Sequence, residues 1–315
     1  MKRPGIVFLD ADTLGPIKGF YELTQLGNLT VYPATYSDQR MDRIHGKDIV
    51  ITNKVVIDQP IMDACPSVKL ICIAATGMNN VDMDYAALKG ISVKNVAGYS
   101  TESVVQHTFS MLFYLMGSTR YYDDYVKQGD YSSNHLFTHH GRPFQELAGK
   151  KFGIIGMGTI GTRIAEVARS FSSEVCYYST SQKNLNAGFK HVPLHALLTE
   201  CDIISIHCPL NETTRDMIGY EQFRIMKKDA LIINASRGGI VNESDLACAL
   251  NEDLIAGAAL DVLGKEPPEA SNPLFHINQP GRLLITPHIA WASIESRERL
   301  MVGIADNIAR FLREQ

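Results

Sequence analysis

The sequence lacks the features of a membrane protein or a nucleic-acid-binding protein. Its 315 residues contain no apolar run long enough to span a bilayer, and 30 basic residues against 34 acidic ones give no cationic excess. The first apolar run, residues 5–9, reaches Asp10 too early for the core of a signal peptide. There is no internal repeat and no low-complexity tract. We therefore expect no membrane and no nucleic-acid partner, and favour small-molecule chemistry.

Cysteine is sparse, and no two cysteines form a Cys-x-x-Cys pair. The six residues lie mostly in apolar segments, as buried free thiols do: Cys65, Cys72, Cys176, Cys201, Cys208 and Cys248. This pattern favours a reducing cytoplasm. His135, His139 and His140 have a spacing that suggests metal binding, but no matching cysteine or carboxylate cluster accompanies them. We predict no metal site.

Short β-branched runs alternate with helical patterns, and this alternation occurs twice along the chain. The first set of predicted strands is 5–9, 48–52, 70–74 and 92–95, and the second is 151–155, 174–178, 202–207, 230–234 and 255–260. A helix over 83–89 ends at Gly90, a favourable C-cap. At roughly 150 residues per domain, the length also indicates two domains. The pattern predicts an α/β protein with two doubly wound parallel-sheet domains.

Two longer helices are predicted from their apolar residues. Residues 101–116 are apolar nearly all round, which predicts a buried helix that joins or pairs domains. The last helix, over 294–312, has apolar residues at three-to-four spacing and is expected to pack back on the first domain: Leu300, Met301, Ile304, Ile308 and Phe311. The tyrosines of residues 121–125 are interpreted as an interface or a solvated helix end.

A glycine signature, Gly156-Met157-Gly158-Thr159-Ile160-Gly161, follows the predicted strand 151–155 and precedes a helix over 162–170. Gly156 allows a tight turn, Gly158 lets the backbone approach a pyrophosphate, and Gly161 lets helix and strand pack closely. The helix N–H groups would receive the negative charge. We predict a dinucleotide-binding turn here, and not an ordinary glycine-rich connection.

In dinucleotide-binding folds, the strand after the glycine turn and its helix normally ends in an acidic residue that binds the adenosine ribose. In this chain that strand is 174–178. Here Ser179 stands at that end, and Thr180, Ser181, Gln182 and Lys183 follow. An acid would repel a 2′-phosphate, whereas hydroxyls and a lysine would bind one. The hypothesis is that NADP is used, alongside or in place of NAD. The alternative is a solvated polar turn without selectivity.

Four further segments resemble the D-isomer-specific 2-hydroxyacid dehydrogenase family, and the resemblance runs through most of the chain. They are residues 74–82 (AATGMNNVD), 144–150 (FQELAGK), 234–239 (NASRGG) and 286–290 (TPHIA). Residues 75–80 and 288–293 are most similar to the glycerate dehydrogenase, or hydroxypyruvate reductase, branch.

The resemblance implies a Rossmann NAD(P)-binding domain, residues 100–287, inserted in a flavodoxin-like substrate-binding domain made of residues 1–99 and 288–315. It also implies a homodimer formed through the central domain and a hinge that closes over substrate.

Hydride addition to a carbonyl leaves charge on oxygen, so a proton donor is needed, and His288 is the candidate because imidazole titrates near neutrality. The resemblance places Glu266 beside it. Arg237 follows an apolar strand and presents a planar fork suited to a carboxylate. Thr76 and Gly77 resemble the positions whose N–H groups hold that carboxylate. Trp291 is interpreted as either a wall of the substrate pocket or simple packing.

Other cofactor contacts are implied by the same resemblance. His207, Cys208, Pro209 and Thr214 would lie beside the adenine, and Ala235 and Asp261 near the nicotinamide, with Arg237 and His288 adjoining it. Asp261 either holds the carboxamide or caps a turn.

The sequence thus predicts an oxidoreductase that reversibly reduces a small 2-keto acid, with hydroxypyruvate or glyoxylate favoured, to a D-2-hydroxy acid such as D-glycerate or glycolate. D-lactate or D-3-phosphoglycerate dehydrogenase is the alternative within the class. Phosphoglycerate would require an extra basic subsite that the sequence does not clearly show. A dinucleotide-sensing corepressor or scaffold is the alternative from another class.

Overall fold

A computed structural model of the protein describes residues 3–183, 185 and 188–315. The strands in this part of the chain are β1 (Gly5–Phe8), β2 (Asn28–Val31), β3 (Ile49–Thr52), β4 (Leu70–Ile73), β5 (Ser92–Asn95), β6 (Lys151–Ile155), β7 (Glu174–Tyr178), β8 (Lys190–His191), β9 (Ile203–Ile206), β10 (Leu231–Asn234), β11 (Gly257–Leu260) and β12 (Leu283–Ile285). The α-helices are α1 (Phe20–Leu26), α2 (Arg40–Ile44), α3 (Gln59–Ala64), α4 (Met83–Leu88), α5 (Thr101–Met116), α6 (Thr119–Lys127), α7 (Thr159–Ser170), α8 (Leu194–Glu200), α9 (Tyr220–Ile225), α10 (Glu243–Asn251) and α11 (Ile294–Arg313).

The chain divides into two compact units. Unit 1 comprises the residues up to Ser100 together with Trp291–Gln315, and unit 2 comprises Thr101–Ala290. The boundaries therefore lie after residues 100 and 290, whereas the sequence placed them after 99 and 287. The difference at the second boundary puts His288 in unit 2.

Unit 1 contains a five-stranded parallel sheet in the order β2-β1-β3-β4-β5. This is the flavodoxin-like order, with its topological switch point between β1 and β3. Strands β3 and β4 are mostly apolar and are buried at every residue, since the sheet is covered on both faces. The last helix, α11, packs against β4 and α1 and completes one of the two cores of this unit.

Unit 2 contains a seven-stranded parallel sheet in the order β12-β11-β10-β9-β6-β7-β8. Numbered from β6, the first six strands follow the 3-2-1-4-5-6 order of the Rossmann fold, and β12 extends it by one. The switch point lies between β6 and β9. The predicted fold class, two doubly wound parallel-sheet α/β domains, is confirmed.

Helix α5 opens unit 2 and is buried along much of its length. Val105, Phe109 and Leu112 pack with Phe152 and Ile154 of β6, and the helix also contacts α7 and strands β10 to β12. Burial of each such side chain stabilises the fold by about 1.5–3 kcal/mol. The apolar character of the predicted helix 101–116 therefore reflects packing on the second sheet.

Three strands were missed by the sequence prediction. Strands β2 and β8 carry no buried residue, and β12 is only three residues long with every side chain half-buried. All three lie at sheet edges, where one side stays unpaired and the apolar pattern that marks a central strand is weak. Helix α7 also begins at Thr159, three residues earlier than predicted, because the glycine turn leads directly into it. No helix in the described part of the chain is long and apolar enough to cross a membrane.

Candidate active site

Two glycines of the turn after β6 are required by the packing of the protein itself. Gly156 has φ +99°, and a Cβ there would lie 2.7 Å from the backbone of His207 and Cys208. A Cβ on Gly161 would lie 2.0 Å from the carbonyl oxygen of Gly156. Contacts this short are not tolerated, so only glycine permits the turn and the close approach of α7 to it.

Gly158 differs from its two neighbours because nothing in the described structure lies within 4 Å of a Cβ placed on it. Its backbone is extended, it is the N-cap residue of α7, and no described side chain caps that end. Because the fold does not require glycine here, the open approach to the helix N-terminus fits a ligand. Backbone N–H groups and the helix dipole at this end suit the pyrophosphate of a dinucleotide.

The end of β7 presents hydroxyls where a carboxylate would stand in an NAD-selective turn. Ser179 is buried, Thr180 is half-buried, and Lys183 is exposed. The Gln182 side chain donates to the Ser179 carbonyl at 2.7 Å, and the Lys183 N–H donates to Ser181 Oγ at 3.3 Å. These bonds hold the described part of the turn, and the Ser179 to Lys183 segment carries no acidic side chain.

His207 follows β9, on the other side of the switch point from the glycine turn. Its Nε2 lies 2.7 Å from Ser205 Oγ, while its buried Nδ1 has no hydrogen-bond partner among the described residues. Burial lowers the pKa of His207 to about 3, so the ring is neutral. A buried polar atom without a partner fits a ligand group at this position.

The residues after His207 form a closed loop. Burial raises the pKa of the Cys208 thiol to about 11, so it is not a reactive thiolate. Thr214 is buried; its hydroxyl donates to the Pro209 carbonyl at 2.7 Å and accepts from the Asn211 N–H at 2.8 Å. Pro209 itself is exposed. Thr214 thus shapes the loop from within, and its predicted contact with adenine stays a prediction.

Arg237 lies on a rigid loop after β10. Asn234, which is buried, donates from Nδ2 to the Arg237 carbonyl at 2.9 Å and accepts from the Ser236 N–H at 3.0 Å. Gly238 passes so close to Leu263 that a Cβ would lie 1.9 Å from its carbonyl oxygen. The guanidinium donates to the Ser236 carbonyl through Nη1 at 2.7 Å. The Arg237 side chain is half-exposed, and the other N–H groups of its guanidinium can bind a carboxylate.

His288 and Glu266 meet in unit 2. His288 Nδ1 lies 2.6 Å from Glu266 Oε2, and Glu266 Oε1 accepts from the Leu263 N–H at 2.9 Å. An ionised carboxylate can only accept, so Nδ1 carries the proton and Nε2 is the atom free to exchange a proton with substrate. The imidazole is one quarter exposed. The geometry is that of an acid–base histidine oriented by a carboxylate.

Asp261 follows β11 and is buried, and both of its carboxylate oxygens bind the loop that carries His288. Oδ1 accepts from the Thr286 hydroxyl at 2.6 Å and the Ile289 N–H at 2.9 Å, and Oδ2 accepts from the Ala290 N–H at 2.8 Å. Burial alone would raise the pKa of Asp261, but the His107 ring 3.5 Å away, the Thr286 hydroxyl and the two N–H groups outweigh it and hold the pKa below its ordinary value. Its observed contacts cap a loop, and its contact with a carboxamide stays a prediction.

Arg237, Glu266 and His288 therefore stand at the carboxyl edge of the second sheet, on the loops after β10, β11 and β12. Ala235, the predicted nicotinamide neighbour, is half-buried at the start of the first of these loops. Open α/β sheets bind ligands at this edge. The described residues include no group of three or more histidines, cysteines or carboxylates able to hold a metal. His139 stacks on Tyr125, with ring centroids 3.8 Å apart, and its Nε2 lies 2.7 Å from Tyr121 Oη.

The remaining predicted substrate residues lie in unit 1. Thr76 is exposed and its hydroxyl donates to the Val96 carbonyl at 3.3 Å, while Asn95 donates to the Thr76 carbonyl at 2.6 Å. Gly77 is half-buried in the same loop. Trp291 makes an edge contact with Tyr99, with centroids 6.4 Å apart, and packs on the unit 1 core. Trp291 therefore packs in the core of unit 1, and its role as a wall of the substrate pocket stays a prediction.

One residue of the site was missed altogether. His107 Nε2, on α5, lies 3.0 Å from Thr286 Oγ1 and 3.5 Å from Asp261 Oδ1. Its only signal in the sequence was a histidine within a helix that is otherwise apolar nearly all round. A half-buried polar group in such a helix is expected to have a partner, and that partner, Thr286, lies 179 residues away in the chain.

Comparisons with known proteins show which family and which solved structures the chain is similar to. The model of the family described as D-isomer specific 2-hydroxyacid dehydrogenase, NAD binding domain, matches residues 109–290. The glycerate dehydrogenase of Methylorubrum extorquens is 34% identical over 308 residues, covering 98% of this chain and 96% of that protein. The hydroxypyruvate reductase of Blautia hydrogenotrophica is 36% identical over 317 residues, covering 98% and 97%.

A similar solved structure is that of the acyclic imino acid reductase Bsp5 in complex with NADPH and D-Arg. It has a TM-score of 0.88 and 27% identity, and the match covers 98% of this chain and 97% of that one.

Proposed function

Because the chain belongs to the D-isomer-specific 2-hydroxyacid dehydrogenase family, we propose that it reduces hydroxypyruvate or glyoxylate to the corresponding D-2-hydroxy acid. It is an NAD(P)-dependent oxidoreductase of the CH–OH group, and hydride transfer between a nicotinamide cofactor and a small 2-keto acid is reversible. The observation that carries the proposal is the 2.6 Å hydrogen bond between His288 and Glu266. The glycerate dehydrogenase and hydroxypyruvate reductase relatives support the choice of substrate.

Each residue of the site has a part in the reduction. The reduced cofactor, when bound, supplies the hydride to the carbonyl carbon. We propose that His288 Nε2 gives its proton to the carbonyl oxygen, so that the alkoxide is neutralised as it forms. Glu266 accepts a hydrogen bond from His288 Nδ1–H and so fixes the orientation of the ring. Arg237 binds the substrate carboxylate and polarises the carbonyl through its fork of N–H groups. Thr76 and Gly77 are proposed to donate backbone N–H groups to the same carboxylate.

The cofactor is proposed to lie along the carboxyl edge of unit 2. The open N-terminus of α7 at Gly158 and the unpartnered Nδ1 of His207 are the structural support for this placement. Substitution Gly158→Ala should weaken cofactor binding several-fold while leaving the melting temperature unchanged. Gly5→Ala is a matched control, because a Cβ there makes only ordinary contacts of 3.5–3.6 Å. Unchanged cofactor affinity in Gly158→Ala would argue against this placement.

We propose a preference for NADP over NAD. The support is Ser179 at the end of β7, with Thr180 and Lys183 following, since hydroxyls and an ammonium suit a 2′-phosphate and no acid opposes it. Substitution Ser179→Asp should lower kcat/KM for NADPH far more than for NADH. An equal effect on both cofactors would indicate a turn without selectivity.

We also propose a homodimer formed through unit 2. Leu136, Phe137 and Phe144 are 65%, 90% and 66% exposed on the segment between α6 and β6, and contact with a partner chain would remove these apolar side chains from water. A second copy of the chain is the proposed partner. The six cysteines are free thiols, which suits the reducing cytoplasm proposed as its location. Molar mass in solution, measured for the wild type and Phe137→Ser, tests the dimer.

The main test follows oxidation of NADPH and of NADH with hydroxypyruvate, glyoxylate, pyruvate and phosphohydroxypyruvate. Rapid turnover of hydroxypyruvate or glyoxylate is expected. A higher kcat/KM for pyruvate or phosphohydroxypyruvate would move the assignment to D-lactate or D-3-phosphoglycerate dehydrogenase. Tight cofactor binding without turnover of any keto acid would favour the dinucleotide-sensing role and end the proposal.

A further inference from the structure

A chain of polar side chains, half-buried at His107 and Thr286 and buried at Asp261, connects helix α5 to the loop of His288. Thr286 Oγ1 lies 2.6 Å from Asp261 Oδ1 and 3.0 Å from His107 Nε2. The carboxylate can only accept and lies 2.6 Å from the hydroxyl, whereas the weaker acceptor Met111 Sδ lies 3.7 Å away, so the single hydroxyl proton of Thr286 is directed at Asp261. The hydroxyl oxygen must then accept a hydrogen bond from His107 Nε2–H. The order of donation is therefore His107 Nε2–H to Thr286, and Thr286 O–H to Asp261.

Asp261 connects these side chains to the backbone around His288. Its carboxylate accepts the N–H groups of Ile289 and Ala290, and its carbonyl accepts the N–H of His288 at 2.8 Å. His288 has φ +55°, a left-handed conformation that a residue with a side chain rarely adopts. Such a conformation persists only where its surroundings hold it. Three consecutive N–H groups bound to one residue provide that hold.

Helix α5 also contacts the end of the same loop through Ser103, whose hydroxyl donates to the Ala290 carbonyl at 2.6 Å. The helix is fixed in the core of unit 2 by Val105, Phe109 and Leu112. It is therefore a rigid support that reaches the loop at two points.

We propose that His107 is a positioning residue of this enzyme, which holds the His288 loop in its reactive conformation through Thr286 and Asp261. The kinetic consequence rests on the proposed function, whereas the hydrogen-bond order does not. Without the His107 donor, the Thr286 hydroxyl loses the contact that orients it, and its bond to Asp261 weakens. The Asp261 charge is then less compensated and the loop less well held.

The first test is the tautomer of His107 in the unmodified protein, read from the nitrogen–proton correlations of the imidazole by NMR. The proposal requires a proton on Nε2. A ring protonated on Nδ1 alone would overturn it, because Nε2 would then have nothing to donate. This measurement needs neither turnover nor a variant that folds.

The second test compares His107→Leu with His107→Gln, whose Nε2–H restores a donor. For His107→Leu we expect kcat to fall about tenfold, as for other residues that orient a reactive group. Cofactor affinity and the KM for the keto acid should stay near wild-type values, and His107→Gln should recover most of kcat. His195→Leu is the matched control, since His195 is an exposed histidine on helix α8 of the same unit.

The third test is a double-mutant cycle with Thr286→Val. If the chain acts as one unit, the double variant is no slower than either single variant. Additive losses, or equal loss in the leucine and glutamine variants, would overturn the proposal. If the wild type turns over no keto acid, the proposed function fails, and the tautomer of His107 still decides the present inference.

Discussion

Asp10 in unit 1 and Asp261 in unit 2 hold loops in similar ways. Each is buried, follows the carboxyl end of a strand and accepts backbone N–H groups from the loop after a neighbouring strand. Asp10 follows β1 and holds the loop after β3, through the N–H groups of Asn53, Lys54 and Val55. Asp261 follows β11 and holds the loop after β12.

The two carboxylates differ in what else they bind. Both oxygens of Asp10 accept only backbone N–H groups, Oδ2 from all three and Oδ1 from Asn53 at 2.9 Å, and burial outweighs these bonds, so the pKa of Asp10 is raised above its ordinary value. Asp261 uses both oxygens and also receives the Thr286 hydroxyl with His107 behind it, so its pKa is lowered despite its burial. The same means of holding a loop is thus reinforced with side-chain donors in the unit that carries His288, the proposed acid–base residue.

The largest effect is expected at the loop held by Asp261. Substitution His288→Ala should lower kcat by about 10²- to 10⁴-fold, because the carbonyl oxygen loses its proton donor. Cofactor binding, followed by fluorescence of the reduced nicotinamide, should be retained. His276→Ala on an exposed 3₁₀ turn is the control. Retained turnover in His288→Ala would show that His288 is not the proton donor. The difference between Asp261 and Asp10 would then have no consequence for catalysis.

A smaller effect separates the two aspartates directly. Asp261→Asn should lower kcat by about tenfold to a hundredfold, since one of its two acceptor oxygens becomes a donor that faces N–H or O–H groups. In Asp10→Asn the amide oxygen can stay where Oδ2 stands, and the amide NH2 then faces only the Asn53 N–H. Since the loop that Asp10 holds does not carry His288, kcat should remain close to the wild-type value. Steady-state kinetics of both variants tests this. Equal losses would show that the two loops matter alike.

The smallest effect is on stability, and its sign differs between the two residues. A lowered pKa in the folded state makes Asp261 stabilising above the ordinary value of 3.8, and this contribution is lost as pH falls through and below that value. A raised pKa makes the Asp10 contribution greatest below 3.8, and it is lost as pH rises through that value towards the raised pKa. The free energy of unfolding, measured with urea from about pH 3 to 6, should therefore change its dependence on pH in opposite directions in the two variants. Asp261→Asn should lose a contribution that rises with pH, and Asp10→Asn should lose one that falls with pH. Slopes of the same sign would contradict the assigned pKa directions.

Central strands were predictable from the sequence because they are buried on both faces. Strands β3, β4 and β9 are mostly apolar, with Thr52 and Ser205 as polar residues in β3 and β9, and their positions were correct to within one residue at each end. The edge strands β2 and β8 were not predictable, since solvent replaces a neighbour on one side and no apolar pattern is needed.

The site was predictable where a motif has a local geometric cause. Gly156 and Gly161 are such cases, since the turn and the helix contact admit no Cβ. His107 was not predictable, because its partners Thr286 and Asp261 are set beside it only by the packing of α5 on the second sheet. A contact of that kind depends on the whole fold, and no short segment of sequence contains it.

Helix α11 completes a core of unit 1 with Leu300, Met301, Ile304 and Ile308, although it is encoded after all of unit 2. On the ribosome, the first 100 residues therefore emerge without the helix that covers one face of their sheet. Unit 2 is contiguous and has its entire core about 20 residues before the chain reaches the end of α11. The second unit to be synthesised is thus the first that can fold to completion, and the earlier segment must wait with apolar surface exposed.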